Sequence, residues 1–251
     1  MNPSRRNLIA TGLAAAAGAT GLAAAAKLAD HYGLLPPDSG GIYGPGEALT
    51  YATQRLLTRH SLAREFRRDQ ISKAPFVNGP PPQEAAFKAQ QATGFADWKF
   101  FIRGMVTHPA VLSLPDLKRY PQRSQITHLA CEEGWSYIAE WTGVPLIHVL
   151  NEAGIQEQAR FIVYHSIQKD WWDTIDMDDA LHPQTLLAYG MDGGELPVGN
   201  GGPLRLRVPR QLGYKSVKYI TGITVIDDLK QYLAGPGSTS PDSGYAWWAG
   251  I

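Results

Sequence analysis

The chain has 251 residues, 44% of them hydrophobic and 18% charged, and its 23 basic and 23 acidic side chains give a formal net charge of zero. That length supports a proper hydrophobic core. The neutral balance argues against nucleic-acid binding, which takes a basic excess, and past the N-terminus the apolar runs are shorter than the ~20 residues of a membrane span.

In chain order, residues 1–26 read as an export signal. Ser4-Arg5-Arg6-Asn7-Leu8-Ile9 precedes a mildly apolar, alanine-rich stretch, Ala10 to Ala26, with a cut expected before Lys27. The arginine pair matches the twin-arginine route, which carries folded proteins to the periplasm; left uncleaved, the segment would be an anchor. Residues 27–48 read as a Gly/Pro/Ser linker, 49–234 as the folded domain and 235–251 as a C-terminal tail. A helix is predicted from Leu49 to Gln70, with Arg55, Arg59, Arg64, Arg67 and Arg68 as a solvated face or a docking surface for an acidic partner. Residues 72–82, "SKAPFVNGPPP", are irregular, since three prolines cannot join a helix or a central strand.

Strands are predicted at 97–106, 159–165, 185–191 and 217–226 from β-branched and aromatic runs bounded by turns. The alternation of Leu204, Leu206 and Val208 with Arg205 and Arg207 predicts a half-buried strand at 203–209. A short helix is expected within 113–120. A second runs from Pro145 to Glu152, with Leu146, Val149, Leu150 and Ala153 on one face and Gly154 as its stop. Asp176 is expected to cap a third, through Leu181. Strands and short helices mix without a βαβ beat, so the fold class is α+β.

Several catalytic signatures are absent: GxSxG, HExxH, the GxxxxGK[ST] phosphate loop, GxGxxG and CxxCH. The seven histidines show no i, i+3 or i, i+4 pair. The single cysteine, Cys131, sits in "THLACEEGWSYIAEWTGVPL" (127–146). It can be a buried small hydrophobe, a nucleophile or a metal ligand. Glu132 and Glu133 disfavour the nucleophile, because carboxylates raise a thiol pKa. A metal's own charge stabilises a thiolate, but one thiolate needs a cofactor to bring further ligands.

That segment resembles the molybdenum-ligand stretch of the sulfite oxidase-like molybdopterin enzymes, nearest to the periplasmic branch that includes the methionine sulfoxide reductase catalytic subunit. "DALHPQTLLAYGMDG" (179–193), "LPVGNGGPLRLRVPRQLGYKSVKYI" (196–220) and "SKAPFVNG" (72–79) resemble the same family in the same order. The resemblance implies a sulfite oxidase-type α+β fold of mixed sheets and short helices over the 49–234 domain. It also implies a molybdenum–molybdopterin cofactor with Cys131 as the protein's metal ligand. Asn78, Ser166, Asn200, Arg205, Ser216, Val217 and Lys218 would bind the cofactor. Glu133, with Trp135 beside it, would be an acid near the metal able to relay protons. Lys215 is expected to be solvated and Trp141 to be packing.

The implied activity is oxygen-atom transfer, with reduction of S-oxides such as methionine sulfoxide; sulfite oxidation is the alternative, with Arg205, Arg207 and Arg210 as candidate anion contacts. A secreted binding module without metal is an alternative of another class. About 25 residues follow the last family strand, too few for the ~100-residue immunoglobulin-like dimerisation domain of longer relatives, so a monomer is expected. Without a haem motif, electrons need a separate partner such as a membrane cytochrome. The tail "SGYAWWAGI" has no assigned role.

Overall fold

The computed structural model describes residues 44–229, 244–248 and 250–251, together with residues 21, 23–25, 27–29 and 34–37. Most of the expected export signal and linker, and the tail before Gly244, lie outside the described residues. No helix among the described residues is long and apolar enough to cross a membrane. The chain divides into two compact units, residues 1–58 and 59–251.

In the first unit, helix α1 (Gly44–Thr58) begins within the residues expected to be linker and stops short of the predicted Gln70. Pro45 sits in its first turn, where a missing N–H costs no helical bond, and Glu47 places negative charge near the positive helix end. Tyr51 and Arg55, one turn apart, are both buried, with the guanidinium 5.1 Å from the ring centroid.

In the second unit, residues 59–67 are not helical. Phe66 N donates to Ile126 O at 2.9 Å and Glu65 bridges Thr127, so pairing with a strand edge overrides local helix propensity. Three of the arginines read as a solvated face or docking surface bond to acids of this chain: Arg59 to Asp178, Arg67 to Asp69 and Arg68 to Glu140.

The elements that follow are α2 (Ala85–Ala92), β1 (Lys99–Gly104), β2 (Ala110–Ser113), α3 (Leu114–Leu117), β3 (Arg123–Ala130) and β4 (Ser136–Pro145). Next come α4 (Leu146–Ala153), β5 (Phe161–Ser166), β6 (Trp172–Asp176), α5 (Met177–Ala180), β7 (Leu186–Met191), β8 (Gly194–Glu195), β9 (Arg205–Arg207) and β10 (Ile220–Ile226). Two five-stranded sheets result. One has the order β2-β1-β10-β5-β6, in which only the β1–β10 pair is parallel; the other runs β3-β4-β7-β8, with β9 also beside β7. This is the mixed-sheet α+β architecture expected.

Helix α4 buries the four predicted residues and ends on Gly154 at φ 70°, a left-handed cap that glycine adopts without strain. Its apolar face joins Phe100, Ile102, Ile162 and Ile223 of the first sheet and Leu187 and Leu206 of the second in the main core. A smaller core, with Leu129, Tyr137, Trp141 and Leu186, lies within the second sheet. Two expectations are corrected here. Strand β9 is not half-buried, because Arg205 and Arg207 are covered as fully as Leu206. Lys215 is not solvated: its ammonium is fully buried, 2.7 Å from Asp173 Oδ1 and 3.1 Å from Thr174 O.

Candidate active site

Cys131 occupies the tight turn between β3 and β4. Cys131 N donates to Trp135 O at 3.0 Å and Gly134 N to Cys131 O at 3.1 Å, and Gly134 takes φ 90° to close the loop. The buried thiol donates to Glu132 Oε2 at 3.0 Å and lies 4.0 Å from Glu133 Oε2. Burial first, and then the Glu132 carboxylate, push it up to about 12. As a free nucleophile it is therefore suppressed. Glu133 is fixed in turn: Trp135 Nε1 donates to its Oε2 at 2.6 Å, and the indole stacks on Phe76 at 4.8 Å.

A 3-10 turn, Gly213–Lys215, and the residues after it form the facing wall. A side chain at Gly213 would stand 3.1 Å from Leu129 Cδ2 and 3.4 Å from Cys131 Cβ, so glycine lets this wall approach the thiol. Arg205, from β9, donates through Nε to Ser216 O at 3.0 Å and through Nη1 to Asn200 O at 2.8 Å, and its guanidinium lies 5.3 Å from the Trp141 ring centroid. Lys218 Nζ donates to the carbonyls of Asn78 and Gly199, both at 2.7 Å. Arg207, one layer behind, donates to Ser216 Oγ and His128 O. Among the described residues none of these three cations has a carboxylate partner. Burial holds Arg205 below its ordinary value; burial and then the Arg205 charge bring Arg207 to about 9 and Lys218 to about 8.

The two walls enclose a cleft of about 630 Å3. Of the residues implied by resemblance, Asn78, Cys131, Glu133, Arg205, Ser216, Val217 and Lys218 all line it. Ser166 and Asn200 do not. Ser166 Oγ accepts from the backbone N–H of Gln168, which does line the cleft, at 3.1 Å. Asn200 sits behind Arg205, and its Nδ2 has no partner among the described residues. The cleft also takes in Glu84, Trp171, Tyr219 and Tyr245, none of which sequence reasoning singled out as site residues.

Residues 86–233 match the family model described as oxidoreductase molybdopterin binding domain. The chain belongs to this family. The molybdopterin-binding domain is 37% identical over 155 residues to a chain of Azospira oryzae provisionally named protein-methionine-sulfoxide reductase subunit YedZ1, covering 62% of this chain and 56% of that one. It is 35% identical over 159 residues to the protein-methionine-sulfoxide reductase catalytic subunit MsrP of Xanthomonas campestris pv. campestris, covering 57% and 49%. Its fold is similar to that of the sulfane dehydrogenase SoxCD from Paracoccus pantotrophus, with a TM-score of 0.51 and 24% identity over 53% of this chain and 39% of that one. The chain spans about half the length of the curated relatives it matches.

The residues of the molybdopterin-binding domain fit that cofactor. Buried cations are normally paired; here Arg205 and the half-buried Lys218 line the cleft, with Arg207 behind them, and none of the three has an acid partner among the described residues, as an anionic phosphate would require. Asn200 Nδ2 and the Tyr219 hydroxyl are buried polar groups with no partner among the described residues, and Gly213 bares its backbone beside Cys131. Among the described residues no cluster of three or more His, Cys, Asp and Glu side chains could hold a metal ion. A metal at Cys131 would draw its further ligands from the cofactor.

Lys218 carries a pH signature. Its folded value of about 8 lies below the ordinary 10.5. Between those values the unfolded chain binds more protons, so this lysine makes stability rise with pH across that window in the cofactor-free protein. Denaturation from pH 8 to 10.5 is expected to show a positive slope difference between the wild type and Lys218→Met; parallel curves would refute it.

Proposed function

We propose that this chain is a periplasmic molybdenum oxidoreductase, exported folded by the twin-arginine route, that reduces S-oxides such as methionine sulfoxide. The observation carrying this reading is the pairing, on one cleft, of the chain's single thiol with cations that have no acid partner. The names of the relatives support the substrate class. Bound in the cleft, molybdenum–molybdopterin would supply two-electron oxygen-atom transfer, with Cys131 as the chain's own ligand.

The chain's residues do the rest. Arg205 and Lys218 bind the cofactor phosphate, with donors from Ser216 and Asn200 beside them. Asn78 positions the Lys218 ammonium through its carbonyl, Val217 lends the wall its backbone, and Ser166 holds the turn that carries Gln168. Reducing an S-oxide to a thioether and water consumes two electrons and two protons. Glu133, locked by the Trp135 indole, is placed to pass a proton to the substrate oxygen. Electrons come from a separate redox partner, such as a membrane cytochrome.

Sulfite oxidation has less support. Of the candidate anion contacts only Arg205 lines the cleft. Arg207 is buried behind it, and Arg210 bonds to Arg59 O and lies 3.6 Å from Asp179. Two glutamates flank the thiol instead. Metal analysis of the purified chain, expressed with cofactor supply, is expected to find one molybdenum per chain. The same sample should reduce methionine sulfoxide faster than it oxidises sulfite. Absence of molybdenum would favour a metal-free binding module, and sulfite turnover alone would reverse the direction assigned.

A further inference from the structure

Residues 244–248, 250 and 251 are anchored on the second unit at several points, one of them on the cleft wall. Trp247 is 1% exposed, donates through Nε1 to Thr174 Oγ1 at 2.8 Å and meets Phe161 edge to face at 5.9 Å. Trp248 Nε1 donates to Asp179 Oδ2 at 3.3 Å. Tyr214, in the 3-10 turn of the wall, donates its hydroxyl to Ala246 O at 2.6 Å. Ile251 N donates to Arg210 O at 3.0 Å, and Gly250 bridges Gln211. Two buried or half-buried indoles thus hold Tyr245 in place. Its ring stacks on Tyr214, with centroids 5.4 Å apart and planes 18° from parallel, yet it stays 40% exposed and lines the cleft.

We propose that Tyr245 is a specificity-determining residue that grips the side chain carrying the S-oxide. This rests on the S-oxide reading above. With Arg205 and Lys218 given to the cofactor, the cleft keeps a polar, reacting interior at Cys131 and Glu133, and an aromatic rim in Tyr214, Tyr245, Trp135 and Trp171, the last 46% exposed. A methionine sulfoxide side chain has the same division, with a polar S–O group on an apolar stem. Aromatic faces attract such apolar stems. A peptide-borne methionine sulfoxide must cross the rim to reach the interior, whereas dimethyl sulfoxide has no stem left in the rim.

The test is steady-state kinetics of molybdenum-loaded full chains on a methionine-sulfoxide tripeptide and on dimethyl sulfoxide. Tyr245→Ala, and the bulk-preserving Tyr245→Leu, are expected to raise KM for the tripeptide about fivefold. The kcat values, the KM for dimethyl sulfoxide and the molybdenum content should hold, and Tyr245→Phe should behave as wild type. An unchanged tripeptide KM, an equal rise for both substrates or a loss of molybdenum would overturn the assignment. A loaded wild type that reduces neither compound would instead overturn the S-oxide reading itself.

Discussion

Cys131→Ser is expected to lose molybdenum and to lower oxygen-atom transfer by about three orders of magnitude or more. Serine differs by one atom, so the fold has little to lose: a hydroxyl can donate to Glu132 as the thiol does, and the cofactor-free stability should change by less than about 1 kcal/mol. What disappears is the soft sulfur donor, and the chain holds no second cysteine to replace it. Metal content and turnover, measured beside the unfolding curve, separate loss of the ligand from loss of the fold. The cofactor-free wild type offers a companion measurement. A thiol held up at about 12 should react slowly with alkylating reagents at neutral pH. A serine variant that keeps molybdenum and turnover, or a fast-labelling thiol, would remove Cys131 from the role given it.

Lys215→Met is expected to destabilise the second unit by about 3–5 kcal/mol. The Lys215–Asp173 pair is sealed, with side chains 0% and 1% exposed. Removing the ammonium leaves the Asp173 carboxylate, away from water, with the Thr174 N–H but without its buried counter-charge, and that penalty, rather than the lost attraction, sets the size. Against a typical total of about 5–15 kcal/mol, the variant would lose a large share of its stability. The double variant Lys215→Met with Asp173→Leu should recover much of the loss, since replacing both charges leaves neither stranded. Urea denaturation checks both, and a single variant within about 1 kcal/mol of wild type would refute the account. Because Lys215 belongs to the turn that faces Cys131, its loss should also weaken cofactor retention.

Periodicity in the sequence revealed α4, whose four apolar residues are close in sequence and share one burial face. It also revealed β5, β7 and β10, because runs such as "FIVYH" are dense in β-branched and aromatic residues. It misjudged what depends on distant partners. Alternation made β9 look half-buried, with Arg205 and Arg207 opposite its leucines, and Lys215 was expected to be solvated, since nothing local announces that Ser216, His128 and Asp173 will meet them in the interior. Residues 59–67 looked helical because their pairing edge, β3, lies some sixty residues away. The site residues came through resemblance to a family, with Cys131 the one position that chemistry alone had already isolated. Tyr245 escaped both routes: its place in the cleft depends on indoles that anchor to Thr174 and Asp179.

The hairpin that carries the thiol has a consequence for how this chain can vary. Along β3 the buried positions are Gln125, Thr127 and Leu129, and Cys131 continues the same odd-numbered row. The sulfur's direction is thus a matter of parity, inherited from a pleat that alternates with every residue. Insertion of a single residue between Gln125 and Cys131 would turn the thiol toward the opposite face of the sheet, whereas a paired insertion would keep its direction and only lengthen the hairpin. In this strand, only even steps preserve a site.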